Sequence, residues 1–333
     1  MKITVVLFFI LTSAVAAAPL MTPEKLGIIE RGENALLNAR YNDASHIYDS
    51  LCAVDPGDPA CPLYRAVIIQ TKMIDREADI ERDRFFNLLD STKILAENRL
   101  DSCTRSDSAL CYLYLGHQEA YRSIWESRFG STVSAVSYGF RAKGKYRRGL
   151  ETDPTLYDLF LGMGLYHYWK TVKSGFLKTA GIFNDDRQKG IDQILLAADS
   201  SAFSKTAARS ALVWVLIEEK EYDAAVDLAS ELKNEYPGGL FFDWPQAEAL
   251  YKAGMFEPAA RKFEYILNEL KRSPGNYYNI IEATYYLYKS LKKIDRDDDA
   301  REAVIYLRTV ERNIPRDTER RQRRHLSYLK RRF

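Results

Sequence analysis

The sequence contains few of the residues that most often carry out chemistry, with four histidines and four cysteines among 333 residues. It lacks the motifs G-x-x-x-x-G-K-[ST], H-E-x-x-H and G-x-S-x-G, which mark phosphate loops, zinc proteases and nucleophile elbows. No two histidines stand four positions apart, so a helical two-histidine metal face is excluded. The sequence therefore predicts a protein that is not an enzyme and uses no cofactor or metal.

Two local patterns are the remaining candidates for chemistry. His167 lies between two tyrosines, and we interpret it as a packed or groove-facing residue because no paired acid or nucleophile is near it in sequence. The run 295–299 resembles the start of a calcium loop, but Ala300 and Tyr306 stand where such a loop needs glycine and glutamate. We expect these acids to favour the start of a helix instead.

The sequence also lacks a large excess of positive or negative charge, and it contains few long apolar runs. The 48 Lys and Arg nearly balance the 46 Asp and Glu, so the sequence predicts no nucleic-acid partner. The apolar run Ile3–Leu11 follows Lys2 and precedes the small residues Ala14–Ala18. This pattern predicts a cleaved signal peptide over residues 1–18 and a periplasmic or secreted protein, with an uncleaved anchor as the alternative.

The four cysteines form two close pairs, Cys52 with Cys61 and Cys103 with Cys111. Each pair straddles a turn-rich stretch between helical patterns. In an exported chain, this spacing favours two local disulfides, although four cysteines permit three connectivities. Zinc binding is the alternative, but spacings of nine and eight do not match the usual ligand pairs.

A period of 34 residues is the strongest positive signal. Four pairs of residues stand 34 positions apart: Tyr222 and Phe256, Ala225 and Ala259, Ala229 and Phe263, and Leu232 and Ile266. Near the N-terminus, Gly32, Ala44 and Tyr48 fit the same pattern. Small residues let two helices approach closely and aromatic rings fill the adjoining gap. The pattern predicts antiparallel helix pairs, with Lys233 exposed and dispensable on the second helix of its pair.

The helical period extends along the chain without sustained alternation of apolar and polar residues, which indicates an all-α protein. We predict one domain over 19–333, with the following parts. It contains divergent units over 23–153, an insertion at 170–186, regular repeats over 202–273 and a basic capping helix at 315–333. The insertion combines apolar and basic residues, so it is either a lid on the array or a docking loop.

Along these motifs the chain resembles the tetratricopeptide-repeat superfamily, specifically exported bacterial repeat proteins. The resemblance implies a right-handed superhelical array whose first helices line a concave groove. The segment from Leu161 to Gly190 is more weakly similar to a mitochondrial outer-membrane repeat family of the inclusion-body-clearance type. The predicted groove residues are Leu159, Met163, Tyr166, His167, Trp214, Ile217, Trp244, Glu248, Tyr251, Tyr285 and Lys289.

The resemblance and the missing catalytic motifs together predict a non-enzymatic scaffold of the cell envelope that holds a protein or peptide in its groove. Trp214 and Trp244 could instead be core residues, since aromatic stripes at helical spacing often pack. The alternative function is structural or envelope assembly, with peripheral membrane or cell-wall contact through 170–186 or the basic C-terminal helix.

Overall fold

A computed structural model of the chain describes residues 20–101, 103–173, 185–273 and 275–332. Within these ranges the protein is helical, contains no strand, and packs its consecutive helices in pairs. The all-α prediction is therefore confirmed. The predicted signal peptide and positions 174–184 of the predicted insertion lie outside the described residues, whereas residues 170–173 end a helix.

The described ranges contain sixteen α-helices joined mostly by short turns. They are α1 (Pro23–Leu37), α2 (Tyr41–Val54), α3 (Ala60–Arg76), α4 (Arg82–Leu100), α5 (Arg105–Phe129), α6 (Thr132–Thr152), α7 (Asp158–Lys173), α8 (Arg187–Ser200), α9 (Lys205–Glu218), α10 (Tyr222–Glu235), α11 (Asp243–Lys252), α12 (Phe256–Arg272), α13 (Tyr277–Lys293), α14 (Asp297–Val310), α15 (Arg316–Arg321) and α16 (Arg323–Lys330). The predicted basic capping helix at 315–333 is divided into α15 and α16, which meet at Gln322.

Small residues mark the places where paired helices cross. A Cβ atom at Gly32 of α1 would overlap the Tyr48 ring of α2. The Tyr146 ring of α6 lies between Gly116 of α5 and Gly162 of α7 in the same way. The alanines expected at these crossings are all buried, namely Ala44, Ala142, Ala225, Ala259 and Ala300. The predicted packing of small residues against aromatic rings is thus confirmed.

Five of the turns between paired helices share one backbone conformation. Ala39, Glu77, Lys220, Gly254 and Asp295 have φ of 56°, 48°, 67°, 77° and 57°, in the left-handed region. The N–H of the residue after each one donates to the carbonyl five positions earlier, the hydrogen bond of a Schellman motif. The repetition is therefore present in the backbone of the first unit and of the later units.

The array curls until its first units contact its last units. The N–H of Gly238 donates to Oδ1 of Asn38 at 2.8 Å. The side-chain amides of Asn276 and Asn279 both donate to the carbonyl of Asp75, at 3.0 Å and 2.7 Å. These contacts join residues about two hundred positions apart. These contacts between early and late helices therefore limit the space on the inner side of the array.

One of the two predicted disulfides is present. Cys52 and Cys61 are bonded and connect the end of α2 to the start of α3. Cys103 and Cys111 are free thiols, so the second bridge is a correction to the prediction. The Cys103 sulfur lies 3.1 Å from the Ser108 hydroxyl, which provides it with a polar partner on the first turns of α5.

Lys233 is half-buried on α10, which corrects the prediction that it is exposed. Its Nζ atom lies 2.7 Å from Oδ2 of Asp243, a carboxylate with no solvent exposure. Lys262 contacts the other oxygen of Asp243 at 3.1 Å. Two lysines from α10 and α12 therefore neutralise a buried acid at the start of α11, which joins three consecutive helices.

The left-handed turns generate a stability prediction. Glycine adopts positive φ without the steric cost that side chains incur there. We expect Lys220→Gly to raise the unfolding free energy by about 0.5–1 kcal/mol and Gly254→Ala to lower it by about 1 kcal/mol. Urea denaturation followed by circular dichroism would measure both changes. Lys220→Ala is the control and should shift the value by less than about 0.5 kcal/mol. A loss of stability in Lys220→Gly would contradict the turn assignment.

Candidate partner-binding site

The candidate site begins with two helices that present polar and aromatic residues at helical spacing. On α11, Trp244, Glu248 and Tyr251 fall at positions i, i+4 and i+7, and all three are half-buried. On α13, Tyr285 and Lys289 fall at i and i+4 and are also half-buried. Residues with this spacing share one face of a helix, so each helix contributes one side of a common surface.

Aromatic contacts bring these two faces together. The Tyr286 ring centroid lies 5.0 Å from that of Tyr251 and 5.2 Å from that of Phe263. Tyr286 also meets Tyr285 edge to face, and Trp244 lies 6.3 Å from Phe263. Burial raises the pKa of Tyr251, and the charge of the nearby Lys289 acts in the opposite direction. Trp244, Glu248, Tyr251, Tyr285 and Lys289 therefore belong to one surface, which we name the aromatic–acidic cluster.

The terminal helix α16 completes this cluster. The His325 ring stacks on Tyr285 with centroids 4.0 Å apart and an interplanar angle of 18°. The Tyr328 ring lies 5.2 Å from Tyr285, and Nζ of Lys289 lies 5.6 Å from the Tyr328 centroid. The basic composition of this segment predicts only a polar cap. Leu326 and Leu329 of this segment are buried, and His325 and Tyr328 stand next to them in the sequence. This apolar and aromatic spacing is the sequence pattern that could have indicated a packed face.

Carboxyl groups give the cluster its electrostatic character. Burial, then the nearby carboxylates of Glu248 and Glu77, raise the pKa of Glu282 to about 7. Its Oε2 atom accepts a hydrogen bond from Nε2 of Gln322 at 3.3 Å. Burial is also the main reason why the pKa of Tyr286 is raised above its usual value. Glu248 already lies 2.8 Å from Nζ of Lys252. The ring faces and the ionised form of Glu282 would favour a ligand carrying a positive charge.

The other predicted groove residues lie elsewhere. Leu159, Met163 and Ile217 are buried in the hydrophobic clusters of the array and offer no surface to a partner. Leu37 of α1 packs against the cluster that contains Ile217, because the first unit curls against the later ones. Trp214 is 38% exposed and has no place in the aromatic–acidic cluster.

Tyr166 and His167 occupy a separate position on α7. The Tyr166 ring lies 5.6 Å from that of Phe140, and Nζ of Lys143 lies 5.0 Å from its centroid. His167 is buried, and its Nδ1 lies 2.7 Å from Oε1 of Gln193, so the ring N–H donates to the amide oxygen. Burial lowers the pKa of His167, and the neutral ring acts as a hydrogen-bonded packing residue.

A second set of inward polar groups lies in the first units and has no counterpart among the residues that the sequence pattern predicts. Burial and the nearby Glu30 raise the pKa of Glu33 to about 7, against a hydrogen bond from Thr206 of α9. Burial lowers the pKa of His117 to about 4, and its Nδ1 lies 2.9 Å from the Tyr146 hydroxyl. Glu33 and Thr206 meet because distant units come together, whereas His117 and Tyr146 lie on the consecutive helices α5 and α6.

The run of acids in the sequence that resembles a calcium loop lies at the start of α14. Asp297, Asp298 and Asp299 open α14, and each forms an ion pair with a lysine or arginine. Among the described residues, no group of three His, Cys, Asp or Glu side chains could hold a metal ion. The acids at the start of α14 therefore act with their cationic neighbours and the helix N-terminus.

Comparisons with known proteins do not indicate a family or a function for this chain. No protein-family model matches the sequence, and a search of curated proteins gives no significant match. Among the described residues, no helix has both the length and the apolar character required to cross a membrane.

The raised pKa of Glu282 generates a pH prediction. Its carboxyl group has a higher pKa in the folded state, about 7, than the ordinary value of 4.5. The folded protein thus holds a proton that the unfolded chain releases, and unfolding free energy falls as pH rises from about 4.5 to about 7. We expect Glu282→Gln to flatten this decline and to be more stable than wild type at pH 8 by about 1 kcal/mol, after allowance for solvent screening.

Urea denaturation at a series of pH values would measure this effect. Glu302→Gln, at an exposed position on α14, is the matched control and should leave the pH profile unchanged. Identical profiles for wild type and Glu282→Gln would contradict the burial of an acid in the cluster.

Proposed function

We propose that the protein is a non-enzymatic scaffold that holds a protein or peptide partner at the aromatic–acidic cluster. The observation that carries this proposal is the convergence of Trp244, Tyr251 and Tyr285 with Glu248 and Lys289 on one half-buried surface. Tyrosine and tryptophan supply large contact areas with few rotatable bonds, which is why they are enriched at the energetic centres of protein interfaces.

We further propose that the helix pairs follow the right-handed superhelical path of a tetratricopeptide array. The 34-residue period, the small residues at helix crossings and the five similar turns support this proposal. In such arrays the stacked first helices form a surface for partners. The contacts between early and late units restrict that surface here, so a short extended segment suits it better than a long helix.

The chemistry of the cluster favours a partner segment with apolar side chains and a basic residue. Glu248 and Glu282 lie near each other at the cluster, and their repulsion contributes to the raised pKa of Glu282. A lysine or arginine placed between them would relieve this repulsion and could lie over a tyrosine face. Binding of such a segment should therefore lower the pKa of Glu282.

We propose that the protein acts in the periplasm or outside the cell. The predicted signal peptide and the Cys52–Cys61 disulfide support this compartment, because disulfides persist where the environment is oxidising. The basic C-terminal segment supports membrane contact less well. Arg320, Arg321 and Lys330 each form an ion pair with an acid, which leaves fewer charges for a surface.

Selection from a random library can test binding even though the natural partner is unidentified. Displayed peptides would be selected against the immobilised protein, and their Kd values measured by fluorescence anisotropy. We expect Tyr251→Ala and Tyr285→Ala each to weaken binding by about tenfold or more, since central aromatic anchors dominate such interfaces. Trp214→Ala, the matched control on α9, should change Kd by less than about twofold.

Two results would contradict the proposal. One is the selection of peptides whose affinity is the same for wild type, Tyr251→Ala and Tyr285→Ala. The other is a loss of affinity in Trp214→Ala alone, which would place the binding surface away from the cluster. Melting curves of all variants would show that each one is folded.

A further inference from the structure

Helix α6 carries an apolar stripe on its outer face. Val133, Val136 and Phe140 are 80%, 55% and 50% exposed, respectively. Their spacing of i, i+3 and i+7 places them along one side of the helix. The opposite side carries Ala142 and Tyr146, which are buried against α5 and α7. The stripe is therefore directed away from the core and from the inner side of the array.

The C-terminal half of the same helix is strongly basic. Its cations are Arg141, Lys143, Lys145, Arg147 and Arg148. Glu151 is the only acid in the helix, so α6 carries a net charge of +4, which exceeds the +2 of the entire chain. A local excess of this size in a nearly neutral protein indicates attraction to a negatively charged surface.

The three arginines of this half are exposed, whereas the two lysines are half-buried and Nζ of Lys143 lies 5.0 Å from the Tyr166 ring centroid. Lys143, Lys145 and Arg148 form no ion pair with any residue in the described ranges. Arg147 lies 3.6 Å from Glu151, and both side chains are about two-thirds exposed, so the pair contributes little to stability. Arg141 forms a closer ion pair, with Nε 2.8 Å from Oε2 of Glu119.

We propose that the outer face of α6 docks on an anionic phospholipid membrane. Val133, Val136 and Phe140 enter the boundary between headgroups and acyl chains, while the basic half binds lipid phosphates. Interfacial helices combine these two features, because apolar burial and attraction to anionic lipids each contribute to binding. A protein partner fits less well, since lysine is depleted at the centres of protein interfaces.

This surface is independent of the aromatic–acidic cluster. The cluster is formed by α11, α13 and α16, whereas the docking face belongs to α6. It also differs from the 170–186 insertion and the C-terminal helix.

Co-sedimentation with lipid vesicles tests the proposal. Full-length mature protein would be mixed with vesicles of phosphatidylcholine alone or of an equimolar mixture with phosphatidylglycerol, and the partition coefficient measured at low and physiological salt. We expect a partition coefficient at least about tenfold higher on the anionic vesicles, decreasing as salt screens the charges.

Matched variants separate the two contributions of α6. We expect Val133→Ser with Val136→Ser to lower anionic-vesicle binding by about fivefold, through lost apolar burial. Arg147→Glu with Arg148→Glu should lower it by about tenfold or more. The controls are Ile305→Ser, at a 57% exposed position on α14, and Arg323→Glu with Arg324→Glu on α16. Each control should stay within about twofold of wild type.

The proposal would be overturned by any of three results. Wild-type protein could fail to bind anionic vesicles, both α6 variants could bind like wild type, or the controls could lose as much binding as the α6 variants. Circular dichroism of every variant would show that the exposed substitutions leave the fold intact, so a loss of binding reports on the surface.

Discussion

The close crossing of paired helices at a glycine or alanine is the contact on which the rest of the array depends. Tyr48 occupies space that only Gly32 leaves open, and Tyr146 fills the gap between Gly116 and Gly162. A ring held between small residues fixes both the distance and the angle between two helices. Each unit can then present a defined face to the next one, and the units stack along the chain.

The second constraint is the contact between early and late units. Because Asp75 accepts hydrogen bonds from Asn276 and Asn279, helices distant in sequence enclose the inner side of the array. Enclosure removes water from carboxyl groups such as Glu33 and Glu282, which raises the pKa of each to about 7. The polar character of the candidate site is thus a consequence of how the array curls.

Local pattern was sufficient to predict the helix pairs and the buried alanines. Repeat offsets indicate which face of a helix a residue occupies, but they do not show what covers that face. Ile217, for example, is buried in a cluster against which Leu37 of a distant helix packs. The ion pair of Lys233 depends on Asp243, a side-chain partner on another helix that no repeat pattern specifies.

Glycine substitutions on adjacent helices test the account of the crossings most directly. Gly116 of α5 faces the Tyr146 ring, whereas a Cβ at Gly144 of α6 would meet nothing within 4 Å. Gly116→Ala should lower the unfolding free energy by about 1–3 kcal/mol through overpacking. Gly144→Ala should raise it by up to about 1 kcal/mol through better helix propensity. Urea denaturation measures both, and a Gly116→Ala protein as stable as Gly144→Ala would contradict the account.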